Sequence, residues 1–221
     1  MPKKIISTSR LTNQLERMTR ALIHDFFNDA MPMPIVTCVP SAKAYAHYTV
    51  STVWSVGHDE QKHEINISSA YLDRGLEYIT SSVIHELTHY YCDTVLNVQD
   101  TSNHGIYHNR KFKEEAEKHG LICTKSPKYG YSDTSSVLSD RLLDWVLLHD
   151  EFLEIELNRT IPGMIAVGVG PRSAEGGALP TSTTKPSSTR KLVCPCCGQS
   201  VRATKAVNIL CGDCMVKMVE T

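Results

Sequence analysis

The first apolar positions of the chain recur at the spacing of one helix face. Each lies three or four positions after the one before it, which predicts an amphipathic core helix. The stripe consists of Leu11, Leu15, Met18, Leu22 and Phe26. Because proline cannot continue a helix, Pro32 and Pro34 are expected to end it.

Shorter runs with strand-like composition follow this first helix. Residues 35–39 predict a strand, and residues 45–56, rich in Tyr, Thr, Val and Trp, predict a second. Residues 63–68 (HEINIS) alternate polar and apolar side chains and predict a third. The charged segment 57–62 between the last two is expected to be a turn.

Helical patterns dominate the next part of the chain. Residues 72–98 predict a long helix, and residues 109–119 predict another that is closed by Gly120 as its C-terminal cap. Residues 137–156 are apolar enough to predict a further helix or strand that packs on the body.

Composition changes at Ile161. Residues 161–190 contain five Gly, four Pro and eight Ser or Thr, a composition typical of a flexible linker. The predicted organisation is a domain at 8–160, a linker at 161–190 and a small domain at 191–221. A length of 221 residues allows one domain with a substantial core and one small addition.

Charge and targeting signals bear on the cellular location and the partners that we expect for the chain. The net charge is −1, but basic residues outnumber acidic ones after residue 180, which is compatible with nucleic-acid contact in the tail. No signal peptide or membrane-spanning segment is visible, so we expect a cytoplasmic protein without a membrane partner. Its eight cysteines should then stay reduced, which favours metal binding over disulfides.

The segment His85-Glu86-Leu87-Thr88-His89 is an H-E-x-x-H motif. On a helix, residues i and i+4 lie on the same face, so both imidazoles can reach one metal ion. Glu86 can then hold a water at the metal without being a ligand, as the general base of a zinc hydrolase does. This spacing predicts a catalytic zinc site with His85 and His89 as ligands and Glu86 as the catalytic base.

A catalytic zinc usually has three protein ligands and one open position. The candidates for the third ligand are His104, His108 and His119. His104 lies in a polar loop, whereas His108 directly precedes a predicted helix that can fix its position. His119 ends that helix, where we expect a surface residue whose positive charge suits the helix dipole.

Cysteines near the C-terminus have the spacing C-x2-C-x13-C-x2-C, which is typical of a structural zinc ribbon. The predicted ligands are Cys194, Cys197, Cys211 and Cys214. The glycines that follow Cys197 and Cys211 are expected to permit tight turns, and Cys196 is spare. Ordinary buried thiols are expected at Cys38, Cys92 and Cys123. The sequence thus predicts two zinc ions per chain, one catalytic and one structural.

The sequence HELTHY, followed by DTSNHGIYHNRKFKEEAEKHGL, resembles the SprT-like (Spartan-like) zinc metalloprotease domain. SAKAYAHYTVSTVW and HEINIS also resemble the strands that precede the active-site helix in that family, so the likeness covers about residues 11–131. It implies a compact α+β, zincin-like metallopeptidase with a small sheet and an active-site helix. It also implies His108, four residues before Phe112, as the third ligand, with His104 as the alternative.

The function expected from these features is a zinc-dependent endopeptidase that cleaves a protein or peptide substrate. The resemblance implies substrates associated with DNA and a ribbon that recruits nucleic acid or substrate. Candidate phosphate contacts are Arg190, Lys191, Arg202 and Lys205. Polar residues that could stabilise an oxyanion are Tyr107, Tyr131, His104 and Arg110. The alternative is a non-catalytic zinc-dependent factor that binds DNA or protein.

Overall fold

The computed structural model describes residues 7–152, residue 155, and residues 190–203 and 207–220. The chain divides into two compact units, here called the body (residues 1–178) and the ribbon (residues 179–221). Of the linker predicted at residues 161–190, only Arg190 falls within the described residues. Across the described ranges, no helix is both long enough and apolar enough to cross a membrane.

The described part of the body combines four α-helices with short strands in small sheets, which confirms the predicted α+β class. The α-helices are α1 (Thr8–Phe27), α2 (Leu76–Thr94), α3 (Arg110–Lys118) and α4 (Asp140–Leu148). The strands are β1 (Ile35–Thr37), β2 (Ala46–Tyr48), β3 (Trp54–Val56), β4 (Glu60–Lys62), β5 (Glu64–Ile67), β6 (Thr101–Ser102), β7 (Tyr107–His108), β8 (Thr124–Ser126) and β9 (Gly130–Asp133).

Helix α1 is the helix that the apolar stripe predicts. All five stripe residues are buried, and they pack into the main core with side chains from α2, α3 and α4. Ser7 caps the N-terminus by accepting a hydrogen bond from the amide of Arg10. The helix ends before the prolines, because Asn28 adopts a left-handed conformation (φ 52°) that closes its last turn.

The first sheet has the order β1-β5-β2, with β1 parallel and β2 antiparallel to the central strand. The single strand predicted at 45–56 is wrong in extent, since β2 ends at Tyr48 and β3 pairs with β4 in a separate hairpin. Residues 50–61 are all exposed, so no core contact keeps this stretch in the first sheet. The segment predicted as a charged turn, 57–62, therefore contains β4 itself.

Helix α2 begins four residues later than predicted. A short 3-10 helix at Ser69–Tyr71 precedes it, and Gly75 at φ 95° turns the chain into the helix. Val83, Ile84 and Leu87 are fully buried. This apolar face anchors α2 in the core and leaves the opposite face available for chemistry.

A second sheet of the body has the order β6-β7-β9-β8. Strands β7 and β9 meet at a single residue pair, His108 and Gly130. Gly130 has φ 67°, and a Cβ atom there would collide with the carbonyl oxygen of His108. Only glycine therefore lets the two strands approach this closely.

The prediction that His119 is a surface residue is wrong. Its ring stacks on Phe27 with 4.0 Å between centroids, and its Nδ1 donates a hydrogen bond to the carbonyl oxygen of Phe26. Burial lowers the pKa of His119, and its Nε2 is buried without a partner among the described residues. The residue therefore packs α3 against α1 as a neutral ring.

The segment 137–156, predicted as a helix or a strand, contains α4. Ser139 caps this helix by accepting from the amide of Leu142, and a 3-10 helix at Asp150–Phe152 follows. In the ribbon, β10 (Arg190–Val193) is the central strand between β11 (Ser200–Ala203) and β12 (Val219–Glu220). A small core fills the ribbon: Leu192, Cys194, Cys211 and Met218.

Candidate metal centres

One face of α2 lines a cavity of about 810 Å³ in the body. Positions i, i+3, i+4 and i+7 of a helix share a face, and here they supply Ser82, His85, Glu86 and His89. Strand β2 and the segment before it form another part of the wall. The helical spacing of the H-E-x-x-H motif thus places both imidazoles and the carboxylate in the same cavity.

His108 joins the two histidines of α2. It lies at the end of β7, directly before Asn109, whose side chain caps the N-terminus of α3. The Nε2 atom of His108 is 3.1 Å from that of His85 and 3.0 Å from that of His89, and the α2 pair are 3.2 Å apart. The buried ring of Phe112 contacts all three imidazoles, with centroid distances of 4.6–4.7 Å.

The outer nitrogen of each imidazole has its own partner. His89 Nδ1 lies 2.6 Å from the Asp100 carboxylate, His108 Nδ1 lies 3.3 Å from the carbonyl oxygen of Tyr129, and His85 Nδ1 lies 3.4 Å from the hydroxyl of Thr134. A carboxylate and a carbonyl only accept hydrogen bonds, so the first two Nδ1 atoms carry the protons. Their Nε2 atoms are left with lone pairs that face each other.

This arrangement fits a metal ion. Lone pairs at these separations repel one another unless a cation lies between them. Two nitrogens bound at 2.0–2.1 Å to a tetrahedral zinc would be about 3.3 Å apart, close to the observed distances. Hydrogen-bonded Nδ1 atoms are also typical of metal-ligating histidines. The three histidines could therefore hold one ion.

The environment of two of the three imidazoles favours the neutral form that binds metal. Burial and the neighbouring histidines hold the pKa of His85 well below its usual value, and burial lowers the pKa of His108 to about 4. Burial also opposes protonation of His89, but the hydrogen bond to Asp100 and the charge of Glu86 outweigh it and raise its pKa. Protonation of the His89 ring therefore competes with metal binding.

Glu86 lies beside the histidines without joining them. Its Oε2 accepts a hydrogen bond of 2.8 Å from the backbone amide of Tyr48. Burial raises the pKa of the Glu86 carboxyl, and the positive charge of His89 and the Tyr48 amide oppose that rise. Oε1 has no protein partner among the described residues, so this oxygen is available to a water or a substrate in the cavity.

The four residues considered as oxyanion donors do not line the cavity in the described structure: Tyr107, Tyr131, His104 and Arg110. His104 is exposed in the loop between β6 and β7, at φ 56°, and it does not belong to the histidine group. Ser132 does line the cavity, but its hydroxyl oxygen is buried and lacks a partner among the described residues.

Sequence reasoning missed the partners that orient the imidazoles. Asp100 is buried and ends the segment after α2, and Thr134 follows β9, far from the motif in sequence. The sequence indicates Asp100 only weakly, as an acidic residue between the H-E-x-x-H motif and the next histidines along the chain. No spacing rule connects it to His89, because the turn that brings them together is irregular.

The ribbon contains the second group. The sulfur atoms of Cys194, Cys197, Cys211 and Cys214 lie within 4.8 Å of one another. Cys197 and Cys211 are 3.6 Å apart, where a tetrahedral zinc with bonds of 2.3 Å would separate two sulfurs by about 3.8 Å. Backbone amides of the first knuckle lower the pKa of the Cys194 thiol to about 7, which favours the thiolate that binds metal. The four cysteines could therefore hold an ion.

The two cysteine knuckles share one backbone shape. The carbonyl oxygen of Cys194 accepts from the amide of Gly198, and that of Cys211 accepts from the amide of Met215. Gly198 has φ 75°, as expected, but the left-handed residue of the second knuckle is Met215 (φ 55°). The prediction that the glycine after Cys211 makes this turn is therefore wrong.

The remaining cysteines and the basic candidates fall outside both groups. Cys196 is exposed, Cys92 is buried, and Cys38 and Cys123 pack half-buried against the core, where burial raises the pKa of all three body thiols. Three of the basic candidates lie on paired ribbon strands: Arg190 opposite Ala203, and Lys191 opposite Arg202. Lys205 lies outside the described residues.

Comparison with known proteins adds no relative to this picture. The chain matches no model of a known protein family, no curated protein and no solved structure. The features of the chain that bear on function are therefore the two candidate metal centres and the cavity.

Proposed function

We propose that the chain is a zinc-dependent endopeptidase of the SprT-like, zincin-like kind, with Glu86 as its general base. The observation that carries the proposal is three imidazoles whose Nε2 atoms converge at 3.0–3.2 Å, beside a carboxylate in an open cavity. Three ligands leave one tetrahedral position free, which distinguishes a catalytic site from a closed structural one.

His85, His89 and His108 would hold the catalytic zinc, and Cys194, Cys197, Cys211 and Cys214 would hold a second, structural zinc. When bound, the first ion supplies Lewis acidity for the scissile carbonyl and lowers the pKa of water to about 7. Asp100 orients the His89 ring and raises its basicity as a ligand. The buried ring of Phe112 packs against all three imidazoles and keeps water away from that side of the group.

Glu86 is placed to move the proton in hydrolysis. The Tyr48 amide fixes Oε2, so the free Oε1 can accept a proton from the attacking water and return it to the leaving amine. Burial raises the pKa of the carboxyl, which makes Glu86 a stronger base than an exposed glutamate. Overall, one water adds across the peptide bond, the C–N bond breaks, and an acid and an amine are released.

A protein segment is the substrate that suits this cavity. Its volume of about 810 Å³ falls within the range of pockets that enclose several substrate groups. The strand β2 forms one wall with backbone groups on its open edge, and an extended peptide can pair with such an edge. We further propose that the ribbon recruits DNA or DNA-associated proteins through Lys191 and its basic neighbours.

The decisive experiment compares wild type, Glu86→Gln and Glu16→Gln in a protein-cleavage assay with and without single- and double-stranded DNA. Glu86→Gln keeps the size of the side chain but cannot accept a proton, so cleavage should fall by about 10²–10⁴-fold. Glu16 is exposed on α1, so Glu16→Gln should cleave like wild type.

Zinc content should be the same in all three proteins, because Glu86 is not a ligand in this proposal. Equal cleavage by wild type and Glu86→Gln would refute the assigned base. Absence of cleavage by wild type on every substrate, with or without DNA, would favour the alternative of a non-catalytic zinc-dependent binding factor.

A further inference from the structure

Arg74 is a half-buried arginine two residues before the start of α2. Its guanidinium carbon lies 3.5 Å from the centroid of the Tyr45 ring and 5.6 Å from that of Tyr78. Nη1 donates a hydrogen bond of 3.3 Å to the hydroxyl of Ser82. These contacts hold the guanidinium plane in a fixed orientation.

This cation has no carboxylate partner among the described residues. Asp73 and Asp133 act on it only at longer range, and neither forms an ion pair with it. The Asp133 carboxylate instead accepts hydrogen bonds from the amides of Ser135 and Ser136. Burial lowers the pKa of Arg74, which shows the cost of keeping an unpaired cation in this position.

The guanidinium keeps free hydrogen-bond donors. It has five N–H groups, and the described residues supply an acceptor for the one that faces Ser82. The buried side-chain nitrogen and oxygen atoms that lack a hydrogen-bond partner do not include a nitrogen of Arg74. The remaining donors therefore stay open to solvent or to a ligand.

The position of Arg74 relative to the histidines is set by α2. The guanidinium contacts Tyr45 and Ser82, and both of these residues line the cavity. Ser82 precedes His85 by three residues, which corresponds to about 4.5 Å along the helix axis. An extended peptide advances about 3.3 Å per residue, so this distance corresponds to one or two substrate residues.

We propose that Arg74 is an anion subsite that binds an aspartate or glutamate side chain of the substrate, one or two residues from the scissile bond. The proposal rests on the proposed peptidase function and adds a specificity to it. A guanidinium fork matches a carboxylate bidentately. A bound carboxylate would supply the partner that the described part of the chain does not give to Arg74.

The test uses pairs of peptides that are blocked at both ends and differ only in Glu or Gln at one position. That position is moved through two residues on each side of a mapped cleavage site. The enzymes are wild type, Arg74→Gln, Arg74→Lys and Arg141→Gln. Arg141 is the matched control, because it also stacks on an aromatic ring (4.5 Å from Phe26) and bonds to backbone carbonyls, but away from the cavity.

Wild type should prefer Glu over Gln at one position by about tenfold or more in kcat/KM, mainly through KM. Arg74→Gln should bring this ratio to about one while the Gln peptide is cleaved as before. Arg74→Lys should retain part of the preference, because it keeps the charge but not the fork. Arg141→Gln should keep the full preference, and thermal unfolding of all four proteins reports on their folding.

The subsite is refuted by a ratio near one in wild type, by an unchanged ratio in Arg74→Gln, or by equal losses for both peptides, which would mark a structural role. If wild type cleaves no peptide, the peptidase function fails, and the same pairs are then compared by binding. Tighter binding of the Glu peptide that is lost in Arg74→Gln would still support the subsite. Equal binding of the two peptides would overturn it.

Discussion

Removing the negative charge behind His89 should weaken metal binding without removing a ligand. In Asp100→Asn the side chain keeps its shape and an oxygen that can accept from His89 Nδ1. The variant loses only the charge of a carboxylate that lies 2.6 Å from the ring, with side-chain exposures of 14% and 12% for His89 and Asp100. Solvent screening of this pair is therefore small.

The size of the effect follows from the contact. A hydrogen bond to a charged group contributes about 1.5–3 kcal/mol, against about 0.5–1.5 kcal/mol for a neutral one. The difference of about 1–1.5 kcal/mol corresponds to a decrease of about 5–12-fold in zinc affinity, near the lower end of the roughly 10–100-fold effect of partners of metal-ligating histidines. Replacement of the charge should also lower the pKa of His89 in the metal-free protein, because the hydrogen bond and charge of Asp100 raise it.

Competition with a fluorescent zinc chelator measures the affinity, and NMR titration of the His89 ring in metal-free protein measures the pKa. The matched control is Asp93→Asn, since Asp93 lines the same cavity and bonds to the Tyr48 hydroxyl but not to a histidine of the group. Its zinc affinity should equal that of wild type. Equal affinity in Asp100→Asn and wild type would show that the carboxylate does not support a metal ligand.

Three more changes test the placement of the ligands. His108→Ala should lose the body zinc and cleavage while His104→Ala keeps both, and the opposite pattern in elemental analysis would make the loop histidine the ligand. Gly130→Ala should destabilise the body by about 2–5 kcal/mol, from a left-handed backbone and a collision with His108, and a thermal melt like that of wild type would contradict this. Cys194→Ser should remove one of two zinc ions and unfold the ribbon, because a unit this small depends on its metal, and a zinc content that stays at two would refute this assignment.

Both groups of possible metal ligands could be recognised from sequence because their key spacings are local. A helix alone places His85, Glu86 and His89 on one face, and a C-x-x-C segment alone folds into a knuckle. The apolar stripe of α1 is equally local, and all of its residues are buried. In each case the geometry follows from backbone periodicity within a few residues.

Other features depend on contacts between distant segments. Asp100, Tyr129 and Thr134 reach the histidines only after β6, β7 and β9 have assembled, and His108 takes its place there because Gly130 allows two strands to meet. The same strand pair brings His108, and not His104, to the two histidines of α2. Sequence spacing carries no information on such encounters.

The incorrect predictions have the same physical origin. His119 has the composition of a surface helix end, but Phe27 of α1 covers its ring. Residues 45–56 have strand propensity throughout, yet only β2 (Ala46–Tyr48) pairs with β5. The residues after β2 are exposed from residue 50 onward and do not continue the first sheet. The sequence determined which chemical groups the chain carries and how nearest neighbours along a helix or knuckle are arranged. Only the tertiary structure decided which groups meet across elements, because burial and hydrogen bonding between distant segments outweigh local propensity.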